Sequence, residues 1–339
     1  MRCLTMAREI TARGGKCTFI CRDHSGNLIE AVRANGFAVH VLPVEAESDD
    51  TLAHSQWLGS TQARDALSCI EALHRLNADW VVVDHYALDE QWESAVSVVV
   101  KKLFVIDDLT DRVHRCALLL NQNLDINAQS YESLLPEATR ILCGPNFALL
   151  RPEFFGARQG SLAARQGRPF ERILVSLGGV DKDNVTLRVV NAIKTLGADH
   201  LLKLTVVMGP SAPWVNGIRA ALKDYPGEYE LLVGVNNMAE LMAASDVAIG
   251  AAGSTSWERC VLGLPTLVVV LADNQRPIGL ALQTKGAARI IELETLESEL
   301  PKHIIQLFEP GGGREFMSHS AAQVCDGQGV QRVVDHMYE

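Results

Sequence analysis

The sequence lacks any apolar run long enough to cross a membrane. Its longest mostly apolar stretch, Val261 to Ala272, has 12 residues and contains Gly263 and Pro265, whereas a spanning helix needs about 20. Arg2, Arg8 and Glu9 interrupt the first residues, where a secretory signal requires an unbroken apolar core. An excess of positive charge is also missing. There are 31 Lys and Arg against 41 Asp and Glu, a net charge of −10, so neither nucleic acid nor an anionic membrane is an expected partner. The eight cysteines (Cys3, Cys17, Cys21, Cys69, Cys116, Cys143, Cys260 and Cys325) form no CxxC pair. Cys17 and Cys21 have no further ligands nearby at zinc spacing, and the set reads as reduced thiols of a cytoplasmic protein. No GxxxxGK followed by Ser or Thr, no HExxH and no GxSxG is present. That sets aside P-loop NTPases, zincins and α/β-hydrolases.

With 47% hydrophobic and 21% charged residues, the chain buries ordinary cores and is not disordered. Its 339 residues suit two domains. Short β-branched runs at 17–20, 38–42, 80–83, 103–106 and 116–120 alternate with segments of helical length. This is the pattern of a doubly wound α/β sheet. The segment 156–169, GARQGSLAARQGRP, shows no apolar face and is expected to be a linker. The pattern then restarts with strands at 172–176, 204–208, 229–232, 246–249, 266–270 and 288–291 and a helix over 184–196. The expected organisation is therefore an N-terminal Rossmann-like domain (1–155), the linker, a second Rossmann-like domain (170–325), and a C-terminal helix (326–339) that packs back on the first domain. The two halves repeat architecture only. The first half opens with Leu4, Ala7 and Ile10 at helical spacing and Gly14-Gly15 behind them. It lacks the strand and loop that normally open such a domain, and that loop is a usual ligand position.

Several strand ends carry polar residues suited to chemistry. Gly178-Gly179 follow the strand at 172–176, where glycine lets a backbone approach a phosphate and a helix start supplies N–H donors and a favourable dipole. A tight turn explains them equally well. Asp181-Lys-Asp183 resembles a metal–diphosphate DxD, but at a helix start it reads first as an N-cap. Gly250-Ala-Ala-Gly-Ser-Thr-Ser-Trp-Glu258 is the stronger signal. Gly253 adds room, Ser254 and Thr255 offer donors to a diphosphate, and Glu258 offers an acceptor to a ribose diol. Its structural alternative is a capping box. Asn274 and Gln275 follow the strand at 266–270. In the first half, Asp84-His85-Tyr86, Asp107-Asp108 and Asn121-Gln122-Asn123 end successive strands. Asp84 and Tyr86 read as site residues and His85 as a satisfied structural histidine. Arg151 either meets a phosphate or braces the linker through an ion pair.

Taken together, Met1 to Ala7, Val83-Asp-His-Tyr86, Ile106-Asp-Asp-Leu109, Leu118 to Asn123, Cys143-Gly-Pro145 through Phe154, Val175 to Gly179 and Gly250 through Glu258 resemble the UDP-2,4-diacetamido-2,4,6-trideoxy-β-L-altropyranose hydrolases of pseudaminic acid biosynthesis. The resemblance runs along nearly the whole chain in order. It implies a GT-B, MurG-like fold and inverting hydrolysis of a UDP-sugar at the anomeric C–O bond, with the UDP-sugar substrate and water as the partners. It implies no cofactor and no metal, and a setting of flagellin glycosylation or surface polysaccharide. Gly178, Gly179, Gly253, Ser254, Thr255 and Glu258 would hold UDP, with Arg151, Asn274 and Gln275 beside them. Asp84, Tyr86 and Asn123 would line the sugar and water side. The family's Gly-His loop, which bears its proposed base, has no counterpart here; His24 and His40 lie downstream on other elements. The alternatives are a GT-B glycosyltransferase and a non-catalytic nucleotide-sugar-binding relative.

Overall fold

A computed structural model describes residues 1–45, 52–197, 201–309 and 311–339, which fall into two compact units. Unit 1 comprises Met1–Leu149 and Val330–Glu339, and unit 2 comprises Leu150–Gly329.

Unit 1 runs α1 (Arg2–Ala12), β1 (Thr18–Arg22), α2 (Ile29–Ala34), β2 (Ala38–Leu42), α3 (Gln62–Leu76), β3 (Trp80–Val83), α4 (Glu90–Val96), β4 (Lys102–Ile106), β5 (Leu118–Asn121) and β6 (Arg140–Cys143). Strands β3 to β6 form a parallel sheet in sequence order, and β1 and β2 form a separate parallel pair. Among the described residues β1 and β2 pair only with each other, and β3 and β6 are the edges of the four-stranded sheet. The central strands β4 and β5 are apolar over Leu103–Ile106 and Leu118–Leu120, where both faces are covered. Successive side chains point to opposite faces. Leu103 and Val105 therefore join Leu73, Trp92 and Val96 of α3 and α4 in one core. Phe104 and Ile106 meet Met6 of α1 and Val330, Val333 and Val334 of the C-terminal helix in the other. That helix is tied down by Trp80 Nε1, which donates to the Met337 carbonyl at 3.1 Å, and by a 2.5 Å Arg13–Asp335 ion pair. The tail from Val330 onward is thus part of unit 1.

Unit 2 contains α5 (Pro152–Arg165), β7 (Arg172–Ser176), α6 (Val185–Lys194), β8 (Lys203–Met208), α7 (Val215–Leu222), β9 (Tyr229–Val233), α8 (Met238–Ala244), β10 (Val247–Ala251), α9 (Thr255–Val261), β11 (Thr266–Val269), α10 (Arg276–Thr284), β12 (Ala288–Ile291), α11 (Leu296–Phe308) and α12 (Arg314–Val324); α13 (Gly329–Tyr338) is the C-terminal helix already described. The sheet order is β12-β11-β10-β7-β8-β9, every pairing parallel. This is the doubly wound order, with its reversal between β7 and β10.

Two expectations need correction. Most of the segment 156–169 is helical, within α5, and belongs to unit 2; it is not a linker. Its arginines, which look like a solvated face in sequence, are the contact face. Arg158 donates to the carbonyls of Val261, Ala322 and Cys325, and Arg165 to those of Met242, Ser245 and Leu262. These carbonyls lie in or just beyond the last turns of α8, α9 and α12, where no intrahelical donor remains for them. The second correction is β6, whose four residues the sequence reading passed over.

Candidate functional site

In an open α/β sheet, ligands lie outside the carboxyl ends of the strands at the point where strand order reverses. In unit 2 that point is set by the pairing of Ser176 on β7 with Gly250 on β10. The two loops leaving these strands are Leu177–Asp181 and Ala252–Ser254. Gly178 has φ of +102°, a region that favours glycine, and Gly178 and Gly179 are exposed with open space where a Cβ would stand. Gly253 also faces open space, and Ser254 and Thr255 are exposed. Ser254 occupies the N-cap position of α9 but makes no capping hydrogen bond with its side chain. The capping-box alternative for Ser254 and Glu258 is therefore not realised. Asp181, by contrast, is spent on the start of α6, whose N-cap position is Asn184: its carboxylate accepts from the backbone N–H of Val185 at 2.8 Å and of Thr186 at 3.0 Å.

Glu258 retains 16% of its side-chain exposure, and its nearest cation is Arg151 at 3.8 Å. Burial raises its carboxyl above the ordinary value, and the positive charges of Arg151 and Arg259 offset only part of that. Arg151 is engaged by carboxylates, pairing with Glu153 at 2.9 Å and lying over the Phe154 ring. Asn274 is exposed at the end of β11, whereas Gln275 turns its Oε1 back to accept from the Leu271 N–H at 3.2 Å.

The sequence reading missed Arg259. It is 2% exposed and donates to the Ala251 carbonyl, Ser256 Oγ and Thr255 Oγ1 at 2.8, 2.9 and 3.3 Å. Gly250 makes room for it: a Cβ there would stand 2.5 Å from Arg259 Nη1. Part of the space that the small residues create is thus filled from within. The signal was an arginine one position after Glu258 on a seven-residue helix, where it cannot share the outward direction of its neighbour.

In unit 1, a polar cluster forms at the carboxyl ends of β3, β4 and β5. Arg2, at the start of α1, donates to Asp84 at 2.6 and 3.0 Å and to Asp108 at 2.7 Å. Tyr86 donates to Asp108 Oδ2 at 2.8 Å, and Asn123 Nδ2 to the Asp108 carbonyl at 3.0 Å. Burial alone would raise the Asp84 carboxyl, but the hydrogen bonds and charge of Arg2 outweigh it and hold the carboxyl below its ordinary value. Burial, helped by Asp108, pushes the Tyr86 phenol well up, so it remains a donor. Beside Tyr86 stand His54 and Trp57, with ring centroids 5.6 and 6.0 Å from it.

The neighbouring polar residues have structural duties. His85 Nδ1 accepts from the Ala87 N–H at 3.1 Å, and desolvation lowers the imidazole below its usual value. Asp107 is fully buried and binds Arg112, Tyr131 and two backbone N–H groups. Asn121 donates to Tyr131 and Thr110. A cavity of about 220 Å³ opens among Trp80, Lys102, Arg140 and His336, at the amino ends of the strands, opposite to the polar cluster. Among the described residues, no helix is long and apolar enough to cross a membrane, and no three His, Cys, Asp or Glu side chains gather as a metal cage.

These features define a two-Rossmann protein of the GT-B fold. The crystal structure of MurG from Acinetobacter baumannii matches with a TM-score of 0.73 at 15% identity, covering 99% of this chain and 95% of that one. Residues 173–333 match the glycosyltransferase family 28 C-terminal domain. The chain is 28% identical over 197 residues to the spore coat polysaccharide biosynthesis protein SpsG of Bacillus subtilis, covering 58% of this chain and 57% of that protein. It is 22% identical over 262 residues to the UDP-2,4-diacetamido-2,4,6-trideoxy-beta-L-altropyranose hydrolase of Campylobacter jejuni, covering 77% and 90% respectively. The chain spans about half the length of the curated relatives it matches first.

Proposed function

We propose that the chain hydrolyses a UDP-linked 2,4-diacetamido-2,4,6-trideoxy sugar at the anomeric C–O bond, releasing UDP and the free sugar. The observation that carries this reading is the open pair of loops at the β7/β10 reversal, with exposed glycines and hydroxyls above a buried carboxylate. In it, unit 2 is the UDP-binding unit: Gly178, Gly179, Gly253, Ser254 and Thr255 take the diphosphate and Glu258 accepts from the ribose diol. Unit 1 is the catalytic unit, with Asp84, Tyr86 and Asn123 assigned to sugar and water. The likeness to the Campylobacter hydrolase supports the choice of sugar.

Water attacks the anomeric carbon, the C–O bond to the diphosphate breaks, and the electron pair leaves with UDP. The water proton passes to a base and the configuration inverts. Preorganised donors stabilise the charge that develops on the departing diphosphate. Asp84, held ionised, accepts hydrogen bonds, and Tyr86, held protonated, donates them. The Arg2 pair that keeps Asp84 ionised also weakens it as a proton acceptor, which suits orientation of the sugar or water better than proton removal.

A second reading, transfer of the sugar to an acceptor, is favoured by the match of residues 173–333 to a glycosyltransferase domain. Incubating the protein with the UDP-sugar alone separates the two. UDP and free sugar appearing by NMR without an acceptor support hydrolysis. UDP appearing only after an acceptor is added supports transfer, and no turnover under either condition overturns both.

A further inference from the structure

Arg259 carries a buried charge with no carboxylate in contact; Glu258, its neighbour in the chain, acts on it only through space and does not outweigh its desolvation. Among the described residues no carboxylate reaches within 4 Å of its guanidinium, and its buried Nε has no hydrogen-bond partner. All three bonds it makes are to neutral oxygens. Desolvation lowers it to about 10, so it remains charged at neutral pH. Buried charges are normally paired, because an isolated one is strongly disfavoured. This one lies under the reversal point. Its Nη1 lies 2.5 Å from where a Gly250 Cβ would stand, and the same Cβ position is 3.2 Å from the Ser176 carbonyl at the end of β7. The guanidinium thus lies beside the carboxyl ends of β10 and β7, from which the two exposed loops leave, and the glycines and hydroxyls of those loops supply no cation of their own. A nearby dipole explains little here, since α9 has only 7 residues.

We propose that Arg259 is a buried counter-charge for a nucleoside diphosphate: without touching the ligand, it supplies the positive potential that a diphosphate seated on the Gly178–Gly179 and Gly253–Thr255 loops neutralises. The inference rests on the assignment of UDP to unit 2 and adds a residue that discriminates diphosphate from uncharged nucleoside. Three of its consequences differ from those of a purely structural arginine. The benefit scales with ligand charge, follows charge and not shape at position 259, and weakens little with salt because the group is desolvated.

Calorimetric titration of the full chain with UDP, uridine and inorganic diphosphate tests it, using wild type, Arg259→Lys and Arg259→Met, with folding checked by circular dichroism. The expected result is that Arg259→Met lowers affinity for UDP and inorganic diphosphate about tenfold or more, and for uridine by less than about threefold. Arg259→Lys should retain most of the diphosphate affinity. Equal losses for uridine and UDP in Arg259→Met, or no loss for either, overturn the inference while leaving the UDP assignment intact. Wild type that binds inorganic diphosphate in an Arg259-dependent way but not UDP supports the counter-charge and overturns the nucleotide assignment. Wild type that binds neither overturns both. If Arg259→Met fails to fold, the Lys variant decides: loss of diphosphate affinity in a folded Arg259→Lys overturns the inference, and retention supports it.

Discussion

Tyr86 and Asp108 are joined by a 2.8 Å hydrogen bond in which the phenol donates to the same carboxylate oxygen that receives Arg2. The bond links the ends of β3 and β4 and fixes the direction of the phenol. Tyr86→Phe retains the ring and removes only this donor. Its expected stability cost is about 1 kcal/mol, because one partly exposed hydrogen bond is lost. UDP release should fall about tenfold or more, within the range of a lost donor or acid–base group. A Phe variant with unchanged turnover assigns Tyr86 to packing.

Arg2 and Asp84 give a pH-dependent prediction. The Asp84 carboxyl is held below its ordinary value, so its contribution is fully present above the unfolded-state value of about 4 and is lost as pH falls through the lower folded value. Arg2→Met removes the counter-charge and leaves Asp84 and Asp108 facing each other. The variant should be about 1–3 kcal/mol less stable at pH 7, and the gap should narrow at pH 3. Denaturant midpoints of both proteins at the two pH values measure it; a gap that does not change with pH removes the electrostatic explanation.

Glu258 has the opposite sign. Its carboxyl is raised by burial, so ionisation costs stability. That cost is absent below the ordinary glutamate value and develops as pH rises through the raised folded value. Glu258→Gln keeps the shape and an acceptor oxygen without the charge. It should melt higher than wild type at pH 8 and show no such gain at pH 4. Glu258→Ala, by contrast, removes the acceptor and should weaken UDP binding by about 1–3 kcal/mol. Unchanged UDP affinity by calorimetry would place the ribose elsewhere.

Arg158 bonds three carbonyls near the ends of α9 and α12. Arg158→Met keeps much of the aliphatic length and leaves those acceptors without their donor. A loss of about 2–4 kcal/mol is expected from the unsatisfied groups, read by urea denaturation. A variant within 0.5 kcal/mol of wild type, about the scatter of ordinary surface substitutions, would show that water replaces the guanidinium.

Much of this protein was legible in one dimension. The strands β2, β3, β7 and β12 stand where their short β-branched runs place them, because such runs fit a pleated, at least half-buried surface and are too short for helices. The site loops were legible for a related reason. Glycine and hydroxyl residues directly after a buried strand have few roles in a packed core, so Gly178, Gly179 and Gly253–Thr255 stood out. The same rule singled out Asp84 and Tyr86 as polar residues at a strand end, but not their coupling through Arg2 and Asp108, because 106 residues separate Arg2 from Asp108.

The sequence by itself determined the alternation of strands and helices, the two Rossmann-like units and the strand ends on which polar residues gather. Periodicity and loop composition are local properties, and local sterics suffice to read them. The tertiary structure decided what the arginines do. In sequence, Arg158 and Arg165 look solvated and Arg259 looks like one more charge on a short helix. In space, the first two satisfy helix-end carbonyls and the third is buried without a carboxylate partner. A long side chain ending in a planar charged fork takes its role from what surrounds its far end. Chain segments from 77 to 167 residues away supply those surroundings for Arg158 and Arg165.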